Sequence, residues 1–212
     1  EEEYGWSQMA VITLMSHERY SYKMIGYLAA PVIMDENNEC AVLMTHTVHK
    51  DLNGSPLTIK LALGLVANMG GQDMIQTVAT DVQRLLESQD PGIQKRAAVA
   101  ASRVLKIMPE LNEVFRPSIG KLLNSTNHGV VMSGIILTSS IIQADPLQAE
   151  VYSKFSVPFA KLLKALFESR QTEEFKFSIF NDPFLQIRIL KILGDLGAKS
   201  DELDDVLQLV VT

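Results

Sequence analysis

Apolar residues recur along most of the chain at steps of three and four, the spacing that gathers them on one side of an α-helix, and no segment keeps the alternation of a half-buried strand. Ile93, Ala97, Ala100, Val104 and Met108 trace one such stripe, and Leu57, Leu61, Leu65 and Met69 trace another. Near the end, Leu185, Ile189, Ile192, Leu193 and Leu196 form a third, with Gln186, Arg188, Lys191 and Asp195 on the other side, which predicts a half-exposed helix. The segment from His128 to Ile142 differs, because Val130, Val131, Ile135, Ile136, Leu137, Ile141 and Ile142 surround it on nearly all sides. Such a helix is sandwiched between neighbours and is expected to be the most deeply buried. The run Ala97 to Ala101 offers small side chains that let another helix approach closely.

The helix starts themselves repeat. Pro56, Pro91 and Asn127 open successive helices at intervals of 35 and 36 residues, and proline suits a first helical turn. A second series begins near Asn37, Asp73, Glu110 and Pro146, spaced by 36, 37 and 36. Two interleaved series of nearly equal period predict one helix pair per repeat. The turns between them, Asn37-Asn38, Asn53-Gly54, Gly70-Gly71, Asp90-Pro91-Gly92 and Asp145-Pro146, are too short for anything but an antiparallel return, so the pairs must stack. The expected fold is all-α, an α-α superhelix of HEAT/armadillo-like type, with residues 1–212 forming one solenoid segment. The period alone falls between tetratricopeptide and HEAT arrays, and the absence of the tetratricopeptide and ankyrin signatures leaves HEAT-like pairs. One stretch, 171–182, interrupts the rhythm and carries Phe175, Phe177 and Phe180. Aromatic residues on an inserted loop dock either on their own solenoid or on a partner.

Composition narrows the function classes. Hydrophobic residues make up 47% of the 212, enough to bury a continuous core. The formal net charge of -6 gives no general attraction to nucleic acid. The single cysteine, Cys40, rules out an internal disulfide and fits a reducing compartment. It sits at the start of an apolar helix and reads as a buried structural thiol. No run reaches the ~18 apolar residues of a membrane span, and the start, Glu1-Glu2-Glu3-Tyr4, has none of the marks of a signal peptide. The missing initiator methionine suggests an excised fragment. Catalysis finds no candidate: the histidines at 17, 46, 49 and 128 are scattered, and no nucleophile elbow, phosphate loop or dinucleotide fingerprint occurs. His46 and His49 share a spacing of three but lack a third ligand at a recognisable distance, so no metal and no cofactor is expected. Lys95, Arg96 and Arg103 make a mild basic face on one helix, ordinarily a solvated one.

Several short runs carry a family resemblance. Lys23-Met24-Ile25-Gly26-Tyr27-Leu28, Lys50-Asp51-Leu52, Leu61-Ala62-Leu63-Gly64 and Asn127-His128-Gly129-Val130 resemble, in order and separation, the trunk of the large adaptin subunits of clathrin adaptor complexes. The run from Asp182 to Leu190 is similar to the gamma-type subunit of adaptor protein complex one, whereas Trp6 and Tyr22 resemble the delta type. The resemblance implies a non-enzymatic scaffold segment in vesicle-mediated protein transport. It implies assembly with beta-type, mu-type and sigma-type adaptor subunits, recruitment by an Arf-family GTPase carrying GTP, and a cytoplasmic, peripheral location on trans-Golgi and endosomal membranes and clathrin-coated vesicles. It places the GTPase contact at positions matching Gln8, Val11 and Val42, of which only Val11 and Val42 are apolar, so the partner-binding residues expected are Val11 and Val42. Packing within helix stripes is the alternative role for both. The alternatives for the whole chain are another adaptin type (delta, alpha or epsilon) and a free-standing HEAT-repeat scaffold that binds peptides in its groove. Apolar residues at Val206, Leu207, Leu209, Val210 and Val211 favour a fragment cut from a longer solenoid.

Overall fold

The computed structural model describes residues 5–34, 40–168, 175–178 and 180–197. Among them are eleven α-helices: α1 (Gly5–Ser16), α2 (Tyr20–Ile33), α3 (Ala41–Leu52), α4 (Pro56–Met69), α5 (Gln72–Leu86), α6 (Pro91–Ile107), α7 (Asn112–Leu123), α8 (His128–Ala144), α9 (Gln148–Tyr152), α10 (Ser156–Glu168) and α11 (Pro183–Asp195). The helix starts follow from capping chemistry. Ser55, Asp90, Asn127 and Asp182 each accept a backbone N–H of the first turn that follows, from Thr58, Gly92, Val130 and Leu185 respectively. Proline occupies the next position in α4, α6 and α11, where its missing N–H removes no helix bond. Asp182 adopts a left-handed backbone (φ 45°, ψ 61°), a conformation aspartate tolerates better than most residues. Of the second series, α5 begins within a residue of Asp73 and α7 follows a short 3-10 turn at Pro109–Leu111, while Asn37 lies outside the described residues.

Contacts sort the helices into two layers. Helices α2, α4, α6, α8 and α11 lie side by side in that order, and α1, α3, α5 and α7 form a second row behind them, each leaning on the next helix in sequence. One continuous apolar core runs between the rows, from Val11 and Met15 through Val48, Leu63, Ile75, Ala97, Phe115 and Leu137 to Ile192. Helix α8 buries residues on nearly every side, as its sequence predicts, including Val130, Val131, Ile135, Leu137, Ile141 and Ile142. In α6, four alanines of the 97–101 run are wholly enclosed while Val99 looks outward. The stripe expected on α4 is only half right. Leu65 and Met69 are buried, but Leu57 is 55% exposed, and the buried face is built instead on Ile59, Ala62, Leu63 and Val66. Helix α4 is so apolar that periodicity alone could not choose between its sides.

The inserted stretch is not simply a loop. Lys176–Phe177 and Phe180–Asn181 pair as a short antiparallel hairpin, with Phe177 opposite Phe180. The rest of the insertion, 171–174 and 179, and the apolar C-terminal residues 206–211 lie outside the described residues.

Candidate interaction surfaces

The motif residues near the N-terminus converge on one buried ion pair. The Lys23 ammonium donates to both Asp51 carboxylate oxygens, at 2.6 and 2.8 Å, and to the Met15 carbonyl at 2.7 Å, using its three protons. The Tyr27 hydroxyl donates to Asp51 Oδ2 at 2.7 Å. Burial, the hydrogen bond to Asp51 and that carboxylate's charge together push the Tyr27 hydroxyl far above the usual tyrosine range, so it stays a donor. Gly26 completes the arrangement. A Cβ there would lie 2.5 Å from the Met15 nitrogen and 2.9 Å from the Leu14 carbonyl carbon, so α1 and α2 cross at backbone contact. Within the runs Lys23 to Tyr27 and Lys50 to Leu52, the buried Lys23, Gly26, Tyr27 and Asp51 are therefore a pin joining α1, α2 and α3, while Met24, Ile25 and Lys50 stay exposed.

A second polar cluster joins the next helices. Asp81, on α5, meets His49 Nδ1 at 2.7 Å, Asn53 Nδ2 at 3.1 Å and Arg84 Nη2 at 3.3 Å. Arg84 also donates to the Leu52 carbonyl at 3.2 Å and to Asn53 Oδ1 at 2.9 Å, covering the end of α3. His49 is thus turned to a carboxylate while His46 is exposed. Among the described residues no group of three His, Cys, Asp or Glu side chains could hold a metal ion. Cys40 is half-buried and packs against the core at the start of α3. Of the basic face on α6, Arg96 donates to the Lys60 carbonyl at 2.8 Å, and Lys60 pairs with Asp90 at 2.7 Å, so part of it links one repeat to the next.

The two valines expected at a partner surface separate. Val11 is only 3% exposed and packs with Ile12 and Met15 against the core, which corrects the expectation of an accessible Val11: α1 touches both α2 and α3, and this flank of α1 is the one they cover. Val42 is 71% exposed, beside Leu43, on the first turn of α3. Trp6 and Met9 are exposed on the adjoining α1, and Gln8 is half-buried. A partner contact in this region has Val42, Leu43, Trp6 and Met9 available to it. Sequence reasoning missed the last three because exposure is set by which flank the neighbouring helices take.

The hairpin divides its aromatic residues. The Phe175 ring stacks on His128, with centroids 5.7 Å apart, and His128 Nδ1 lies 3.1 Å from Asp182 Oδ2, so the insertion is fastened to the starts of α8 and α11. Phe177 and Phe180 remain exposed, as does Phe184 in the first turn of α11. Between Phe177 and Phe184 lies a cleft of about 300 Å³, lined also by His128, Gly129, Met132, Phe175 and Asp182. Docking on the chain's own solenoid thus holds for Phe175 and not for the other two. Among the described residues no helix is long and apolar enough to cross a membrane.

Comparison with known proteins fits this architecture. The adaptin N-terminal region family matches residues 1–211. The chain is 32% identical over 213 residues to AP-1 complex subunit gamma-2 of Arabidopsis thaliana, covering 98% of the chain and 25% of that protein. It is 29% identical over 212 residues to AP-1 complex subunit gamma-like 2 of Homo sapiens, covering 98% of the chain and 27% of that protein. The chain therefore spans about a quarter of the length of these relatives. Among solved structures, a homology model of the full-length AP-3 complex in an intermediate open conformation superposes with a TM-score of 0.71 at 19% identity, covering 99% of the chain and 34% of that one, a likeness of fold. A family match over nearly the whole sequence, on a stack of helix pairs, leads to one conclusion: the chain belongs to the adaptin family, through its N-terminal region.

Proposed function

We propose that this chain is a non-catalytic scaffold segment, one solenoid unit over 1–212, of a heterotetrameric clathrin adaptor complex of the gamma-containing type, acting in vesicle-mediated protein transport. In that role it packs against beta-type, mu-type and sigma-type subunits and contributes to recruitment by an Arf-family GTPase in its GTP form. The assembled complex brings it, as a peripheral protein, to trans-Golgi and endosomal membranes and coated vesicles. The observation that carries the reading is the family match over residues 1–211 together with relatives named as AP-1 gamma subunits. The exposed Val42 and Leu43 on α3 and Trp6 and Met9 on the neighbouring α1 support a contact on these two helices, since apolar side chains that repeat packing leaves exposed suit a protein interface. The test is capture of an Arf-family GTPase loaded with a GTP or a GDP analogue. Capture in the GTP form only, lost on Val42→Asp, is expected; equal capture in both forms, or none, would remove the GTPase from the role.

A further inference from the structure

The two layers differ in charge far more than the sequence as a whole suggests. Helices α2, α4, α6, α8 and α11 carry eight Lys and Arg residues and a single acid, Asp195, although the chain holds 25 Asp and Glu. The second row is balanced instead, with Asp51, Asp73, Asp81 and Glu113 set against Lys50, Arg84, Arg116 and Lys121. In α6 and α8 each flank is covered by a neighbour and the back by the second layer, so what remains exposed or half-exposed points outward from the layer. Those outward residues include Lys95, Arg96, Arg103 and Lys106 on α6 and Met132 and Ile136 on α8, with Arg188 and Lys191 on the exposed side of α11. The stem of Lys95 runs over Gly129 at the start of α8, within 2.7 Å of where a Cβ would sit. An uncharged strip on α8, apolar at Met132 and Ile136 and polar at Ser139, Ser140 and Gln143, thus lies between a basic row on α6 and another on α11.

We infer that this outward face seats a protein partner through an acidic segment, whose apolar side chains cover α8 and whose carboxylates meet the flanking rows. The inference rests on the scaffold reading above and names the chemistry of one of its interfaces. Complementary charge argues for it. The row on α6 has no carboxylate on α6 or α8 to relieve it, and α11 carries only Asp195, so an acidic partner gains favourable pairing without first breaking ion pairs within α6 and α8. The exposed apolar residues Val99, Phe184 and Ile187 on the same helices extend the surface that such a partner would dry.

The test is zero-length carbodiimide cross-linking of the full-length subunit co-expressed with beta-type, mu-type and sigma-type adaptor subunits, mapped by mass spectrometry. Amide links from Lys95, Lys106 or Lys191 to an Asp or Glu of another subunit are expected. If the complex assembles but its interchain links come only from Lys121, Lys161 or Lys164, this inference fails and the adaptor reading stands. If no complex assembles, both fail. The triple reversal Lys106→Glu, Arg188→Glu and Lys191→Glu is expected to lower partner recovery about tenfold at low salt, with thermal unfolding unchanged. Retention of the chain alone on phosphatidylserine-containing vesicles, abolished by the same reversals, would overturn the protein partner in favour of an anionic membrane.

Discussion

Two polar junctions hold successive helices in the first half of the solenoid, and they use the same chemistry at very different depths. At the first, Lys23, Tyr27 and Asp51 are all buried and every Lys23 proton is used. At the second, Asp81 is buried but its partners His49 and Arg84 are about half exposed. Depth decides what each can do. A buried pair loses so much hydration that its gain over an apolar replacement is small, yet removing one partner strands a charge. An exposed pair is screened by water and salt, so it contributes little and is lost cheaply. The first junction therefore fixes how α1, α2 and α3 meet, while the second trims the packing of α3 on α5.

Substitutions can break that comparison. Asp51→Ala leaves Lys23 buried without its partner and is expected to destabilise by about 3–5 kcal/mol in urea unfolding; a loss below about 1 kcal/mol would mean the pin is open to water in solution. Replacing the set together, Lys23→Met, Tyr27→Phe and Asp51→Leu, should recover most of that loss, which would separate fixing the geometry from stabilising it. Val11→Asp puts an unpaired carboxylate into the α1 core and should lower stability by about 3 kcal/mol, whereas Val42→Asp should change it by less than about 0.5 kcal/mol. Equal melting temperatures for the two valine variants would place Val11 at the surface after all. Gly26→Ala forces α1 and α2 apart at backbone contact and is expected to cost about 1–3 kcal/mol, read from the shift in melting temperature. Asp81→Ala should cost about 1 kcal/mol, a loss that shrinks as salt is added, because its partners are partly exposed.

The pin also has a pH signature. Tyr27 is held protonated in the fold by burial and by Asp51, whereas the unfolded chain releases that proton near the ordinary value of 10.0. Folding stability linked to this group is therefore fully present below pH 10 and falls as pH rises above it. Tyr27→Phe should flatten the alkaline limb of the stability curve; an unchanged limb would assign it to Tyr152, whose hydroxyl burial also raises.

Helix starts were legible in the sequence because they are written locally. A capping side chain, joined by a proline at Pro56 and Pro91, sets the Pro56, Pro91 and Asn127 starts within a residue, and the repeat of those signals fixes a stack of helix pairs. The stripes on α6 and α11 were legible for the same reason, since polar residues mark their outer sides. The family, too, was readable from short runs. What the sequence could not supply is anything that depends on which flank a neighbour covers. Helix α4 is apolar on most sides, so only stacking chose Ile59 and Leu63 over Leu57 for the core. Val11 and Val42 are alike in sequence terms, and only the crossing of α1 with α2 and α3 buried one and left the other at the surface. The Lys23–Asp51 and His128–Asp182 contacts span 28 and 54 residues, and pairing at that range follows from the solenoid's geometry. Charge segregation belongs to both levels. The acids were always absent from α4, α6 and α8, but it took the side-by-side order of α6, α8 and α11 to set an uncharged strip between two basic rows.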